Sequence, residues 1–359
     1  MVKVAAVLVL VVAAVAAALS LGADDEARSG FHVDDASIIG LDGERFVPIG
    51  VNLLGPDAFF NADGETAGHA RVLRDAWNVN TVRLNTCLPQ GCPYTGVHNE
   101  RNDDLDALVE EYTGAGLVVM IALHQVEPGG WPDDGLLDRM ATWWHDVALR
   151  YGDEPLVWFN LLNEPGHDRP ASERWLHVHR RLLDAVRSAG AENLVVVDGT
   201  QWGQEAGEDG SDPVRTEDSA ILTYGDELAG DDDAVAFSFH AYDQWASEHE
   251  PDETRDARMT DFIRRVRDAG HAVMIGETGT PADDECCDDR SLGTATAYRV
   301  AAELGIGLLA WHGQGVDGFQ LVDVPNGESS PSAIDDHLAP TNLTWHGSLL
   351  WDLAHTSRS

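Results

Sequence analysis

The chain has 359 residues, long for one ordinary domain but within reach of a single α/β barrel, and 43% of them are hydrophobic, enough for a large core. Asp and Glu number 62 against 23 Lys and Arg, giving a formal charge of -39 that repels nucleic acid and anionic membranes by long-range Coulomb forces. Nucleic-acid partners are excluded on that ground, and the sole lysine, Lys3, leaves the folded domain without Schiff-base chemistry and so excludes barrel aldolases.

The acidic residues are spread along the chain, which reads as a surface for high salt: at molar ionic strength the Debye length falls to about 3 Å and self-repulsion is screened. The chain opens with Lys3 ahead of an apolar run, so residues 1–23 are expected to be an export signal, with Ala18, Ser20 and Gly22 permitting cleavage. Residues 4–21 also approach the ~18 apolar residues of a membrane span, so an uncleaved anchor stays open as the alternative. Either reading places the domain outside the cell, released or held on the outer face of the membrane. An acidic linker follows at 24–30, and residues 31–359 form one domain. Cysteines fit an oxidising compartment. Cys87 and Cys92 are spaced for a short loop disulfide, whereas adjacent Cys286 and Cys287 need a strained vicinal bridge or partners elsewhere. Neither pair has zinc-site spacing, and the pairing stays open.

Within the domain, short apolar runs flank Asp42-Gly43, a hairpin-type turn, and lead to a first strand at Phe46 to Asn52. A helical stretch over Ala70 to Trp77 precedes a strand at Thr81 to Asn85. A helix face at Leu105, Leu108, Val109 and Tyr112 then precedes a strand at Leu117 to His124. Leu136 to Val147 has helical spacing, and the apolar run from Leu156 stops abruptly at Asn163-Glu164-Pro165, as a strand buried on both faces does when it reaches a rim. Helix Trp175 to Val186 and strand Leu194 to Asp198 follow. From Gly199 to Asp233 the pattern fails and at most a degenerate helix is expected. Regularity returns with strand Ala234 to His240, helix Arg258 to Ala269, strand Ala272 to Glu277, helix Ser291 to Leu304 and strand Ile306 to Trp311. A long loop to Pro340 and a last helix over Leu343 to Ala354 close the chain. Asn342-Leu343-Thr344 reads equally as a glycosylation sequon or a helix cap. Eight buried strands alternating with helices predict a (β/α)8 barrel; the open doubly wound sheet lacks its Gly-x-Gly-x-x-Gly.

The carboxyl ends of these strands carry Asn52, Arg83 and Asn85, His124, Asn163 and Glu164, Trp202 just past the fifth, His240 and Tyr242, Glu277, and Trp311. Convergence of two glutamates, two histidines, an arginine and a tyrosine on one rim marks an active site. Breaking a glycosidic bond needs one carboxyl protonated and one ionised, and two glutamates on strands four and seven can flank such a bond across about 5 Å. Arg83 is expected to keep Glu277 ionised and Tyr242 to orient it, while Glu164 beside Asn163 is expected to hold its proton. Tryptophans 131, 202, 245 and 311 lie in or beside rim loops, where indoles stack on pyranose faces.

The ordered set Val82-Arg83-Leu84-Asn85, Ala122-Leu123-His124, Leu162-Asn163-Glu164-Pro165, Phe239-His240-Ala241-Tyr242, Ile275-Gly276-Glu277 and Ala310-Trp311 resembles glycoside hydrolase family 5, the cellulase-like retaining barrels. The resemblance implies Glu164 as acid/base and Glu277 as nucleophile. It implies Asn163 on the sugar 2-hydroxyl, Arg83 and Tyr242 in support of the nucleophile, His124 and His240 lining the central subsite, and Trp311 as its floor. It implies a β-linked polysaccharide, β-glucan or β-mannan, as partner, and neither metal nor organic cofactor. Ala122, the absence of an aromatic after Glu277 and the run His312-Gly-Gln depart from the family pattern and bear on the substrate. Two other classes stand beside this one. A non-catalytic carbohydrate-binding barrel would keep the tryptophans without needing both glutamates. A metal-dependent barrel hydrolase would rest on His177-Val178-His179, whose side chains diverge by about 100 degrees per residue on a helix.

Overall fold

The structure, a computed structural model, describes residues 30–53, 69–89, 102–206, 212–247, 249–281, 289–312, 319–322 and 343–356. The leader (1–23), all of the linker but Gly30, Cys92, Cys286, Cys287 and Asn342 lie outside the described residues, while Cys87 is disulfide-bonded. Among the described residues no helix is long and apolar enough to cross a membrane.

Two short antiparallel strands come first, β1 (His32–Asp34) and β2 (Ser37–Ile39). Asp35 and Ala36 join them with φ of 45° and 54°, the left-handed pair of a two-residue hairpin turn. The hairpin therefore turns at 35–36, ahead of the expected Asp42-Gly43, which closes a second, smaller reversal where the Gly40 N–H donates to the Glu44 carbonyl at 2.8 Å. Eight parallel strands then close a barrel: β3 (Ile49–Leu53), β4 (Thr81–Thr86), β5 (Val118–Leu123), β6 (Val157–Asn160), β7 (Val195–Asp198), β8 (Val235–Ala241), β9 (Val273–Thr278) and β10 (Leu308–Ala310), with β10 pairing back to β3. Around it run α1 (His69–Asp75), α2 (Asn102–Gly114), α3 (Asp134–Tyr151), α4 (Glu173–Ser188), α5 (Ala220–Ala229), α6 (Asp252–Asp268), α7 (Asp289–Leu304) and α8 (Trp345–Thr356). The (β/α)8 expectation holds, and the irregular stretch after β7 contains a regular helix, α5, capped by Ser219.

Inside the barrel, alternate residues form packed layers. Val118 and Met120, Trp158, Leu194 and Val196, Ala234 and Ala236, and Met274 fill the lower interior, and Phe31 and Phe46 cap it with edge contacts to Trp158 at 5.0 and 5.7 Å. The hairpin thus plugs the bottom, and the charged residues inside the barrel gather at the top. One irregularity matters. Between β8 and β9 the register shifts, so that Phe239 pairs with Ile275 but His240 pairs with Glu277. Simple alternation after inward Met274 sends Glu277 outward to the helices; the extra residue, Gly276, re-aims it into the barrel mouth. A Cβ at 276 would lie 2.2 Å from the Ser238 hydroxyl oxygen, so any side chain there requires that hydroxyl to turn away.

The helices fix the strand ends. Trp144 of α3 donates its indole N–H to the Leu161 carbonyl at 2.9 Å, and Trp175 of α4 donates to the Asp198 carbonyl at 2.9 Å. Both indoles are fully buried, so the ends of β6 and β7 are held by large aromatic anchors.

Candidate active site

Arg83, wholly buried, projects from β4 into the top of the barrel. Its Nη1 donates to Glu277 Oε1 at 2.5 Å and to Asn52 at 2.9 Å; its Nη2 donates to Asn160 at 2.7 Å, Asn163 at 2.8 Å and Asp198 at 3.2 Å; its Nε donates to Asn160 at 3.0 Å. Arginine suits this place because a rigid fork reaches several acceptors at once. Asn52, on β3, in turn donates to the carbonyls of Gly276 at 3.0 Å and Ala310 at 3.3 Å, tying the bulge on β9 to β3 and β10.

The second oxygen of Glu277 accepts from the Tyr242 hydroxyl at 3.0 Å. Glu164 follows β6 in the left-handed region, with φ of 49°, a conformation that a non-glycine residue keeps only when its surroundings impose it. Its carbonyl accepts from Gly129 at 2.9 Å, and its Oε1 faces His240 Nδ1 at 2.8 Å. The carboxyls of Glu164 and Glu277 face each other: each has an oxygen within 4.8 Å of one on the other. The two glutamates that stand 113 positions apart in the chain are thus brought together.

The two are not equivalent. The side chain of Glu164 is 12% exposed and that of Glu277 only 4%. Burial pushes the Glu277 carboxyl above the usual carboxylate range, His240 and Arg83 pull against it, and Glu164 and Asp198 add to the rise. The guanidinium acts in the expected direction, tempering the cost of burial without cancelling it. Burial alone would deprotonate His240, but the charges of Glu277 and Asp198 and the bond to Glu164 push it up to about 10, so the ring is a cation. Burial would likewise raise Asp198, but His240 and Arg83 hold it well below the ordinary range. His124 is driven down by burial and by Arg83 and is neutral, and the Tyr242 hydroxyl is pushed up by burial and by Glu277 and stays protonated.

The rim tryptophans divide. Trp311 stacks on His124 with centroids 6.2 Å apart at 23°, forming one wall. Trp202 is 38% exposed, and stacks on His167 at 5.6 Å and 26°, above Gly129, which has no room for a Cβ beneath the indole. Trp131 is half-buried, with its N–H given to Asp168 at 3.1 Å and the Arg174 guanidinium over its ring at 5.6 Å. Trp245 is not a platform: it is fully buried against Phe239 and Phe262 and donates to the Gln204 carbonyl at 2.8 Å.

Asn160 and Asp198 complete the site and were absent from the strand-end reading. Both lie one layer below the rim and are fully buried. The signal was available in principle, because a polar residue at the inward position of a buried strand needs a partner. As for metals, Glu164, His240 and Glu277 are close enough to share an ion, but both His240 nitrogens face carboxylates, Nδ1 at 2.8 Å from Glu164 and Nε2 at 3.3 Å from Asp198. His177 is exposed while His179 is buried and bonded to the Trp175 carbonyl at 2.9 Å, so that pair forms no site.

Residues 43–315 match the cellulase family, glycosyl hydrolase family 5. Among curated relatives, the mannan endo-1,4-beta-mannosidase of Streptomyces lividans is 26% identical over 351 residues, 95% of this chain and 79% of that protein. The enzyme of the same name from Cellvibrio japonicus is 23% identical, covering 80% of this chain but only 60% of its own length. In three dimensions the catalytic domain of a mannanase from Streptomyces sp. SirexAA-E superposes with a TM-score of 0.62 at 23% identity, covering 90% of this chain and 95% of that one. The catalytic domain of a Thermobifida fusca endoglucanase gives 0.66 at 16% identity, covering 91% and 97%. With the family matched over most of its length and a closed barrel bearing two facing glutamates, the chain belongs to glycosyl hydrolase family 5 and is a glycoside hydrolase.

Proposed function

We propose that the protein is a retaining, endo-acting β-glycosidase of β-mannan, with β-glucan as the second substrate, exported and working in high salt. The observation that carries the reading is the approach of the Glu164 and Glu277 carboxyls to within 4.8 Å. Retaining pairs stand about 5–5.5 Å apart, whereas inverting pairs leave room for water at about 6.5–9.5 Å. Glu277 is the nucleophile because Arg83 and Tyr242 donate to its two oxygens and fix them for attack. Glu164 is the acid/base because it is the more open of the two and pairs with His240.

In the first step the Glu164 proton passes to the glycosidic oxygen as the bond from that oxygen to C1 breaks. The Glu277 carboxylate forms a bond to C1, and the leaving sugar departs as an alcohol. In the second step the Glu164 carboxylate takes a proton from water, the water oxygen bonds to C1, and Glu277 is released. Asn163 binds the sugar 2-hydroxyl, His124 and Trp311 form the floor and wall of the central subsite, and Trp202 stacks on a flanking sugar. Mannan is placed first because the relatives that cover the most of this chain are named as mannosidases. Export rests on the leader-like residues 1–23, and high salt on 62 acidic residues against 23 basic ones.

The test is hydrolysis of a panel of soluble mannans and glucans in molar KCl, with Glu164→Gln and Glu277→Gln beside the parent. Each variant should lose at least about 100-fold in kcat while keeping its thermal transition. Parental rates in both variants would reject the assignment. Full activity after exhaustive chelation is expected; its loss would favour a metal-dependent hydrolase.

A further inference from the structure

The site contains a third carboxylate that the two-carboxylate mechanism does not use. Asp198 sits at the end of β7, fully buried, beneath the facing glutamates. Its Oδ1 accepts from Asn160 at 3.0 Å; its Oδ2 accepts from Arg83 at 3.2 Å and lies 3.3 Å from His240 Nε2. The other nitrogen of the same ring, Nδ1, is 2.8 Å from Glu164 and 3.5 Å from Glu277. Nε2 and Oδ2 stand at ion-pair distance without hydrogen-bond geometry, so Asp198 acts on the ring by its charge, which favours the doubly protonated imidazolium.

His240 is held in that place from all sides. Its backbone N–H donates to the Gly203 carbonyl at 2.8 Å, and the absence of side chains at Gly203 and Gly276 lets the ring lie close to both. The titratable or charged groups that act on the His240–Asp198 pair are Glu164, Glu277, Arg83, His124 and His179, the last two neutral. With Glu164 protonated, two cations face two anions and the buried charges balance. Neutralising Asp198 leaves one cation in excess, and the ring proton is the one that can leave.

We propose, on the basis of the glycosidase reading above, that Asp198 is a positioning residue for the acid/base step: it holds the second proton on His240 and so keeps a cation against Glu164. The cation stabilises the carboxylate that remains once Glu164 has passed its proton to the glycosidic oxygen. No atom of Asp198 touches the substrate. Its influence falls on bonds whose leaving group needs protonation, and is small where the leaving group departs as a stable anion.

The experiment is Asp198→Asn, assayed in molar KCl on an oligosaccharide and on a dinitrophenyl β-glycoside of the same sugar. Turnover of the dinitrophenyl substrate by the parent tests the glycosidase reading, and the ratio between the substrates tests this inference. The oligosaccharide rate should fall about 100-fold and the dinitrophenyl rate about tenfold or less. The basic limb of the oligosaccharide pH profile should move to higher pH, because Glu164 becomes a weaker acid beside a neutral ring. Equal losses on both substrates, or an unmoved basic limb, overturn the proposal and leave Asp198 a purely structural residue. A measurement without the variant decides the matter if Asp198→Asn does not fold. NMR of the imidazole nitrogens of the parent, assigned with His240→Asn, should show a doubly protonated ring at about pH 8, where an ordinary histidine is neutral. A neutral ring at that pH overturns the proposal.

Discussion

Glu205 offers the sharpest link between a single buried group and a measurable property. It lies in the turn that carries Trp202, fully buried, with a left-handed φ of 56°. Its Oε1 accepts from the backbone N–H of Thr200 at 2.6 Å and Ala220 at 3.1 Å, and its Oε2 accepts from the Ser219 hydroxyl and from Ile221 at 3.4 Å. Two of these partners, the N–H groups of Ala220 and Ile221, open α5, where a negative charge is favoured. Burial nevertheless outweighs them and raises the carboxyl from 4.5 to about 7. A carboxyl that binds its proton more tightly folded than unfolded contributes stability that is full below about pH 4.5 and is lost as pH rises through about 7. At roughly 1.4 kcal/mol per pH unit between these values, the loss is about 3 kcal/mol. Glu205→Gln keeps the carbonyl acceptor for Thr200 and Ala220 and gives Ser219 a donor in place of the acid proton, but it does not titrate. Urea unfolding in molar KCl should therefore find the variant gaining on the parent by about 3 kcal/mol between about pH 4.5 and 8. A difference that stays constant within about 1 kcal/mol, or that moves the other way, refutes the reasoning.

Three further outcomes follow from the geometry. Gly276→Ala forces a Cβ to 2.2 Å from the Ser238 hydroxyl oxygen and displaces the bulge that aims Glu277; kcat should fall about 100-fold, and Ser238→Gly in the same chain should restore part of it. An unchanged rate in the single variant would show that the bulge does not aim the carboxyl. Tyr242→Phe removes the hydroxyl that donates to Glu277 at 3.0 Å, so the acid limb of kcat/KM should move to higher pH by about one unit; an unmoved limb would separate Glu277 from that limb. Trp202→Ala, at an exposed indole, should raise KM on long substrates without changing the thermal transition, whereas Trp245→Ala, in the core, should cost about 3–5 kcal/mol; calorimetry and kinetics on the pair would expose an inverted assignment.

The parallel strands were legible in the sequence because both their faces are buried, so each is a continuous apolar run, and Glu164 and Glu277 stood out where such runs end. What lay one layer deeper was not legible. Asn160 and Asp198 end their strands but face inward one layer beneath the rim, where polar groups serve Arg83 rather than the mouth, and a list of rim residues passes over them. The bulge at Gly276 was hidden because a run such as Val273 to Thr278 is apolar in either register, and only the pairing His240 with Glu277 shows which way the carboxyl points. Trp245 was misread because a tryptophan beyond a strand end has the same sequence context whether its loop rises over the rim or folds back on Phe262. The split between the glutamates also depended on packing: proximity of Arg83 to Glu277 was foreseen, but the burial that opposes it is a property of the closed mouth. The left-handed pair Asp35-Ala36 was overlooked in favour of Asp42-Gly43, since alanine is rarely found there.

The central claim is that Glu277 attacks the sugar, and covalent trapping tests it most directly. A fluorinated sugar with a good leaving group slows the second step, so the enzyme incubated with it should gain the mass of one sugar on the peptide that contains Glu277, and the product anomer from ordinary substrate should be retained. An adduct on any other residue, or no adduct together with an inverted product, would contradict the account.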